Sequence, residues 1–174
     1  MIIKHKFLAH KINPATETLI IGTFNPDASE NPADFFYGRS RNFLWRLLPI
    51  AFGETDLKGK LKNEKLEFIE KRKIDFIDLI SEVEVDEKIN YDDGYLDSRV
   101  SKWRDVISEI EKLPAIKRVC FTRKSFSDIP HMKKRIEEVQ KFCEGNKIPF
   151  HYLITPARFY RVDKQTEWAQ FLIT

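Results

Sequence analysis

The strongest constraint on this chain is the placement of four short apolar runs. They are Thr18–Phe24 (TLIIGTF), Ile74–Ile80 (IDFIDLI), Ile116–Thr122 (IKRVCFT) and Phe150–Thr155 (FHYLIT). Each is rich in β-branched or aromatic residues and lies near a turn or break, which is the pattern of a strand. Thr18–Phe24 and Phe150–Thr155 are nearly continuous apolar runs and suit strands covered on both faces, as in a parallel sheet. Helical patterns lie between and after them. Asn42–Phe52 is apolar almost all round, and Asn63–Lys73 is charged with one apolar stripe. Ser98–Leu113 and Ile129–Glu144 repeat apolar residues at helical spacing, with Ser98 as a possible N-cap and Gly145 as a C′ residue. A last helix is expected over Asp163–Leu172. This alternation predicts an α/β fold of three layers, α/β/α, around a central four-stranded parallel sheet. Ligands of such folds sit at the carboxyl ends of the strands, here after Phe24, Ile80, Thr122 and Ile154.

At 174 residues the chain fits one domain spanning 1–174. That length buries about 70% of the unfolded surface, so folding needs no disulfide or metal. Lys plus Arg number 30 against 27 Asp plus Glu, which excludes a histone-like tail or an acidic solvating segment. An aromatic content of 13% excludes a disordered chain. Two cysteines cannot build a four-cysteine zinc or iron–sulfur site, and the four histidines are scattered. No metal site and no cofactor are expected. No apolar run approaches the ~20 residues of a membrane span and no signal-peptide core is visible, so a cytoplasmic monomer with no membrane partner is the simplest expectation.

Three segments could carry chemistry. Gly22-Thr23-Phe24-Asn25-Pro26-Asp27 follows the first strand, and places Asn25 and Asp27 at the expected crevice; Asn-Pro-Asp is also ordinary turn chemistry. Ala33–Trp45 packs Phe35, Phe36, Tyr37, Arg39, Arg41 and Asn42 close together. Three consecutive aromatics fit neither an amphipathic helix nor a strand, so one or more is a candidate stacking surface for a base, with core packing of Phe35 or Phe36 the equal alternative. Asn42 is equally a candidate cap for the helix that follows. Thr155-Pro156-Ala157-Arg158 follows the last strand, and offers a hydroxyl and a guanidinium there.

In this order on a βα alternation, these segments resemble the uracil-DNA glycosylase superfamily, closest to its mismatch-specific uracil/thymine and hypoxanthine branches. The most specific part is A-x-F-F-Y-G-x-x-R-N-x-L-W-R-L-L over Ala33–Leu48. The resemblance implies a metal-independent DNA glycosylase that hydrolyses the N-glycosidic bond of a flipped-out deaminated base, uracil, hypoxanthine or similar, in base excision repair. Its partner is then DNA containing a damaged or mismatched base. It implies Asn42, Asn25 or Asp27 as the residue that places or activates water. Gly22, Thr23 and Phe24 would line the base pocket, with Phe36 or Tyr37 stacking on the base. Arg39, Arg41, Thr155, Pro156, Ala157 and Arg158 would contact DNA. The second motif lacks the family's His-Pro-Ser or Ser-Ser cluster, which keeps open a catalytically silent protein of the same fold that binds nucleic acid or a nucleobase. An unrelated α/β enzyme using the same crevice is a third reading. The stretch from Asp75 to Arg99 holds nine acids against two bases, and repulsion from phosphates predicts that it faces away from bound DNA.

Overall fold

The computed structural model describes residues 1–86 and 90–174. In chain order the elements are β1 (Ile2–Lys4), β2 (Thr18–Gly22), α1 (Leu44–Ala51), α2 (Lys62–Arg72), β3 (Ile74–Asp78) and β4 (Ile80–Glu84). There follow α3 (Asp93–Leu96), β5 (Val100–Trp103), α4 (Val106–Glu111), β6 (Arg118–Phe121), α5 (Pro130–Gly145), β7 (Phe150–Tyr152) and α6 (Val162–Ile173).

The four apolar runs form one sheet in the order β3-β2-β6-β7, and every neighbouring pair is parallel. Alternation along β2 divides the interior. Leu19 and Ile21 point into a core shared with Met132, Ile136 and Val139 of α5 and with Val106 and Ile110 of α4. Ile20 points to the opposite face, where Leu44, Trp45 and Leu48 of α1, Phe68 of α2 and Trp168 of α6 close over it. Full cover on both faces is why β2 reads as an unbroken apolar run. The result is the three-layer α/β/α architecture with a central four-stranded parallel sheet.

A second, antiparallel sheet of order β1-β4-β5 departs from the expectation. The run Ile74–Ile80 serves both sheets: β3 ends at Asp78, and Ile80 opens β4. The helix expected over Ser98–Leu113 is strand β5 followed by the short helix α4. Val100 and Trp103 have helical spacing, but their backbones pair with Val83 and Ile80 of β4, and that pairing overrides the local pattern. Ser98 therefore caps nothing. The cap is Asp105, whose Oδ1 accepts the Ser108 N–H at 3.0 Å. Among the described residues no helix is long and apolar enough to cross a membrane.

Candidate functional site

The strand order places β3 and β6 on opposite sides of β2, so connections leave the sheet in opposite directions and a crevice opens at the carboxyl ends. A cleft of about 500 Å³ lies there. Thr23, Phe24 and Asn25 enter it from the end of β2, Asp78 from β3, and Thr122 and Arg123 from β6. The loop after β7 contributes Thr155, Pro156, Ala157 and Arg158. The segment before α1 contributes Tyr37, Arg39, Arg41 and Asn42. Residues remote in sequence thus share one cavity.

The floor is built on Asp78, whose side chain is 2% exposed. Its Oδ2 accepts the Asn25 Nδ2–H at 2.8 Å and lies 2.6 Å from His5 Nε2. The Phe7 N–H donates to His5 Nδ1 at 3.0 Å, so the ring proton sits on Nε2 and His5 is the donor to Asp78. No donor among the described residues reaches Asp78 Oδ1. Gly22 lies against this group. A Cβ there would come within 2.5 Å of the Tyr37 hydroxyl and nearer still to Asp78 Oδ1, so position 22 takes glycine for close approach. Tyr37 has φ 58°, and its buried hydroxyl has no partner among the described residues. Burial, reinforced by the charge of Asp78, holds its pKa well above the usual tyrosine value.

One wall runs from Tyr91 to Asp93. The acidic stretch thus does not lie wholly apart from the cleft, since Asp78, Asp92 and Asp93 all line it. Their charge is partly met by Arg123, whose guanidinium forks between Asp93 Oδ2 at 2.9 Å and Asp128. Burial pushes the Asp93 carboxyl upward, against the opposing pull of Thr23 and Arg123. Burial lowers the Arg39 pKa, opposed by Tyr91, Asp78 and Asp93.

At the mouth, two loops are joined by their backbones. The Phe43 N–H donates to Pro156 O at 2.9 Å, and the Arg158 N–H to Arg41 O at 2.8 Å. Between them Asn42 pairs with Ala157 as an isolated antiparallel bridge. Asn42 Oδ1 accepts the Leu44 N–H at 3.0 Å, so this residue both helps to start α1 and faces the cleft.

Two expected site residues lie elsewhere. Phe36 is 2% exposed and stacks on Phe76 at 5.7 Å between centroids, while its carbonyl accepts the Trp45 indole N–H at 2.7 Å. It belongs to the core and has no face for a base. Asp27 is exposed and outside the cleft, because its N–H bonds to Lys4 O at 2.8 Å and carries the chain toward β1. Asp78, Asp93 and Arg123 were not expected. The signal for Asp78 was a carboxylate inside an apolar strand run, where burial is costly without partners; His5 had no such signal.

The architecture is that of a doubly covered parallel α/β sheet with a cleft at its switch point. Over 92% of this chain and 91% of the other, it is similar to the solution NMR structure of a "putative Uracil DNA glycosylase" from Methanosarcina acetivorans, with a TM-score of 0.65 and 21% identity. The two proteins share a fold. No family model and no curated protein matches the chain.

Proposed function

We propose that this protein is a DNA glycosylase that hydrolyses the N-glycosidic bond of a flipped-out deaminated base such as uracil or hypoxanthine. The observation that carries this reading is the pairing of Asn42 with Ala157, which joins both motif segments at the mouth of a cleft of about 500 Å³, roomy enough to admit a flipped nucleotide. A flipped base enters between the β2 end and Tyr37, with Asp78 Oδ1 as an acceptor beneath it. The C1′–N bond breaks and its electron pair leaves with the base. Water adds to C1′, and the proton it sheds is taken up by the departing base anion. Asn42 is the favoured residue for holding that water, because it stands at the joined mouth of the cleft, whereas Asn25 is drawn down to the floor by Asp78. Arg41 and Arg158, both exposed at the mouth, are placed for the flanking phosphates.

The test is protein in excess over labelled oligonucleotides carrying uracil, hypoxanthine, xanthine or a G·T mismatch, with EDTA present and alkali to reveal abasic sites. Abasic sites on at least one substrate are expected. None on any substrate overturns the reading. A silent binding protein is the second reading, favoured by the engagement of Asn42 Oδ1 with Leu44; it predicts DNA binding with no abasic site.

A further inference from the structure

We propose that Lys58 and Lys164 are paired positioning residues whose ammonium groups hold Asn42 and Arg158 in register across the cleft mouth. The proposal rests on the glycosylase reading and extends it to residues outside the cleft lining. Lys164, on α6, is 3% exposed, and its Nζ donates to Ala157 O at 2.8 Å and to Phe159 O at 2.9 Å. Arg158 lies between those carbonyls with φ 78°, a left-handed conformation unfavourable for a residue with a Cβ. The Phe159 N–H closes onto Ala157 O at 3.1 Å, the i to i+2 contact of a γ-type turn. The ammonium therefore grips both carbonyls flanking one strained residue.

Lys58 repeats the arrangement on the facing loop. Its Nζ donates to Ser40 O at 2.6 Å and to Asn42 O at 3.0 Å, and it lies 4.8 Å from the centroid of the Phe43 ring. Each lysine thus spans a pair of carbonyls two residues apart, and the two clamped loops are the ones zipped together at Asn42 and Ala157. Burial lowers the pKa of both ammoniums, so both are held partly out of water.

What these charges hold is not core. Arg158 and Phe159 are exposed and Asn42 is half-buried. Placing an ammonium out of water is unfavourable, and a surface loop needs no such group merely to remain folded. Fixing a strained tip and an amide at a set distance does need one, because misplacement by about 1 Å can lower turnover 100-fold.

The experiment compares Lys58→Met, Lys164→Met, Lys164→Arg, Arg158→Ala and the Lys164→Met/Arg158→Ala double variant. Two quantities are read: single-turnover excision of the base removed by the wild type, and affinity for a duplex with a tetrahydrofuran abasic analogue. Thermal unfolding establishes that each variant is folded, and the half-buried Lys58 tests the same seam if Lys164→Met is not. Lys164→Met is expected to weaken DNA affinity about 10- to 100-fold, with Lys164→Arg regaining most of it. Lys58→Met is expected to act on the rate, through Asn42, more than on affinity. The double variant is expected to match Arg158→Ala within about threefold, since Lys164 acts through Arg158. Losses that multiply in the double variant, or Met variants equal to a cleaving wild type, overturn the clamp alone. A wild type that cleaves no substrate overturns the glycosylase reading and, since the clamp rests on that reading, the clamp with it, whether or not DNA is bound.

Discussion

His5 Nε2 lies 2.6 Å from Asp78 Oδ2, and this contact ties the segment after β1 to the end of a sheet strand 73 residues later. Both side chains are 2% exposed. His5→Ala removes a donor from a buried carboxylate and is expected to destabilise the fold by about 2–3 kcal/mol. Urea denaturation measures this; a change under about 0.5 kcal/mol means that water replaces the imidazole without cost.

Gly22 is the second sensitive point. Its Cα faces Asp78 Oδ1 and the Tyr37 hydroxyl so closely that a methyl group displaces one of them. Gly22→Ala is expected to cost about 1–3 kcal/mol and to lower base excision by about 100-fold. Full activity in this variant implies that the Asp78–Tyr37 floor takes no part in substrate binding.

Two expected site residues separate cleanly by assay. Phe36→Ala leaves a cavity between Phe7, Phe35 and Phe76, and is expected to cost about 3–5 kcal/mol in thermal or chemical unfolding. Asp27→Ala is expected to leave stability and excision within about twofold of wild type, because its side chain is exposed and outside the cleft. A large loss of activity in a folded Asp27→Ala protein contradicts its placement.

Arg41 and Arg158 are exposed at the mouth. If they meet phosphates, each alanine variant lowers the slope of log affinity against log salt by about 1. Titrations of a duplex at several salt concentrations read this directly, and an unchanged slope moves phosphate contact to other residues.

Acid stability is expected to depend in part on Glu54. Its carboxylate receives Lys71 Nζ at 2.6 Å and Arg72 Nε at 2.8 Å. The hydrogen bond from Lys71, aided by Arg72, holds its pKa below the ordinary value of 4.5. A carboxylate lowered by folding stabilises above its unfolded pKa, and that contribution disappears as pH falls through the folded value. Glu54→Gln is therefore expected to be about 0.5–1 kcal/mol less stable than wild type at neutral pH, with the gap narrowing as the pH is taken below 4.5. Urea midpoints at neutral pH and at a series of acid pH values check the sign.

The central sheet was legible because its strands are short apolar runs, a local property. The second sheet was not. Val100 and Trp103 carry helical spacing, β1 is three residues with only Ile3 buried, and both strands depend on pairing with β4. The cleft was legible where turn chemistry follows a strand, as at Thr23–Asn25 and Thr155–Arg158. Asp78 was hidden because its neighbours read only as strand.

By itself the sequence determined the four parallel strands, the main helices and the crevice end of the sheet, since periodicity and turn residues act over a few positions. Tertiary structure alone decided how Phe35, Phe36 and Tyr37 divide. The two phenylalanines pack against Phe76 and Trp45, while the left-handed backbone at Tyr37 turns the third ring to the cleft. It also decided that Asp78 meets His5 and that two lysines grip the mouth loops. Those contacts join residues far apart in the chain, and local sequence carries no record of which distant group will satisfy a buried charge.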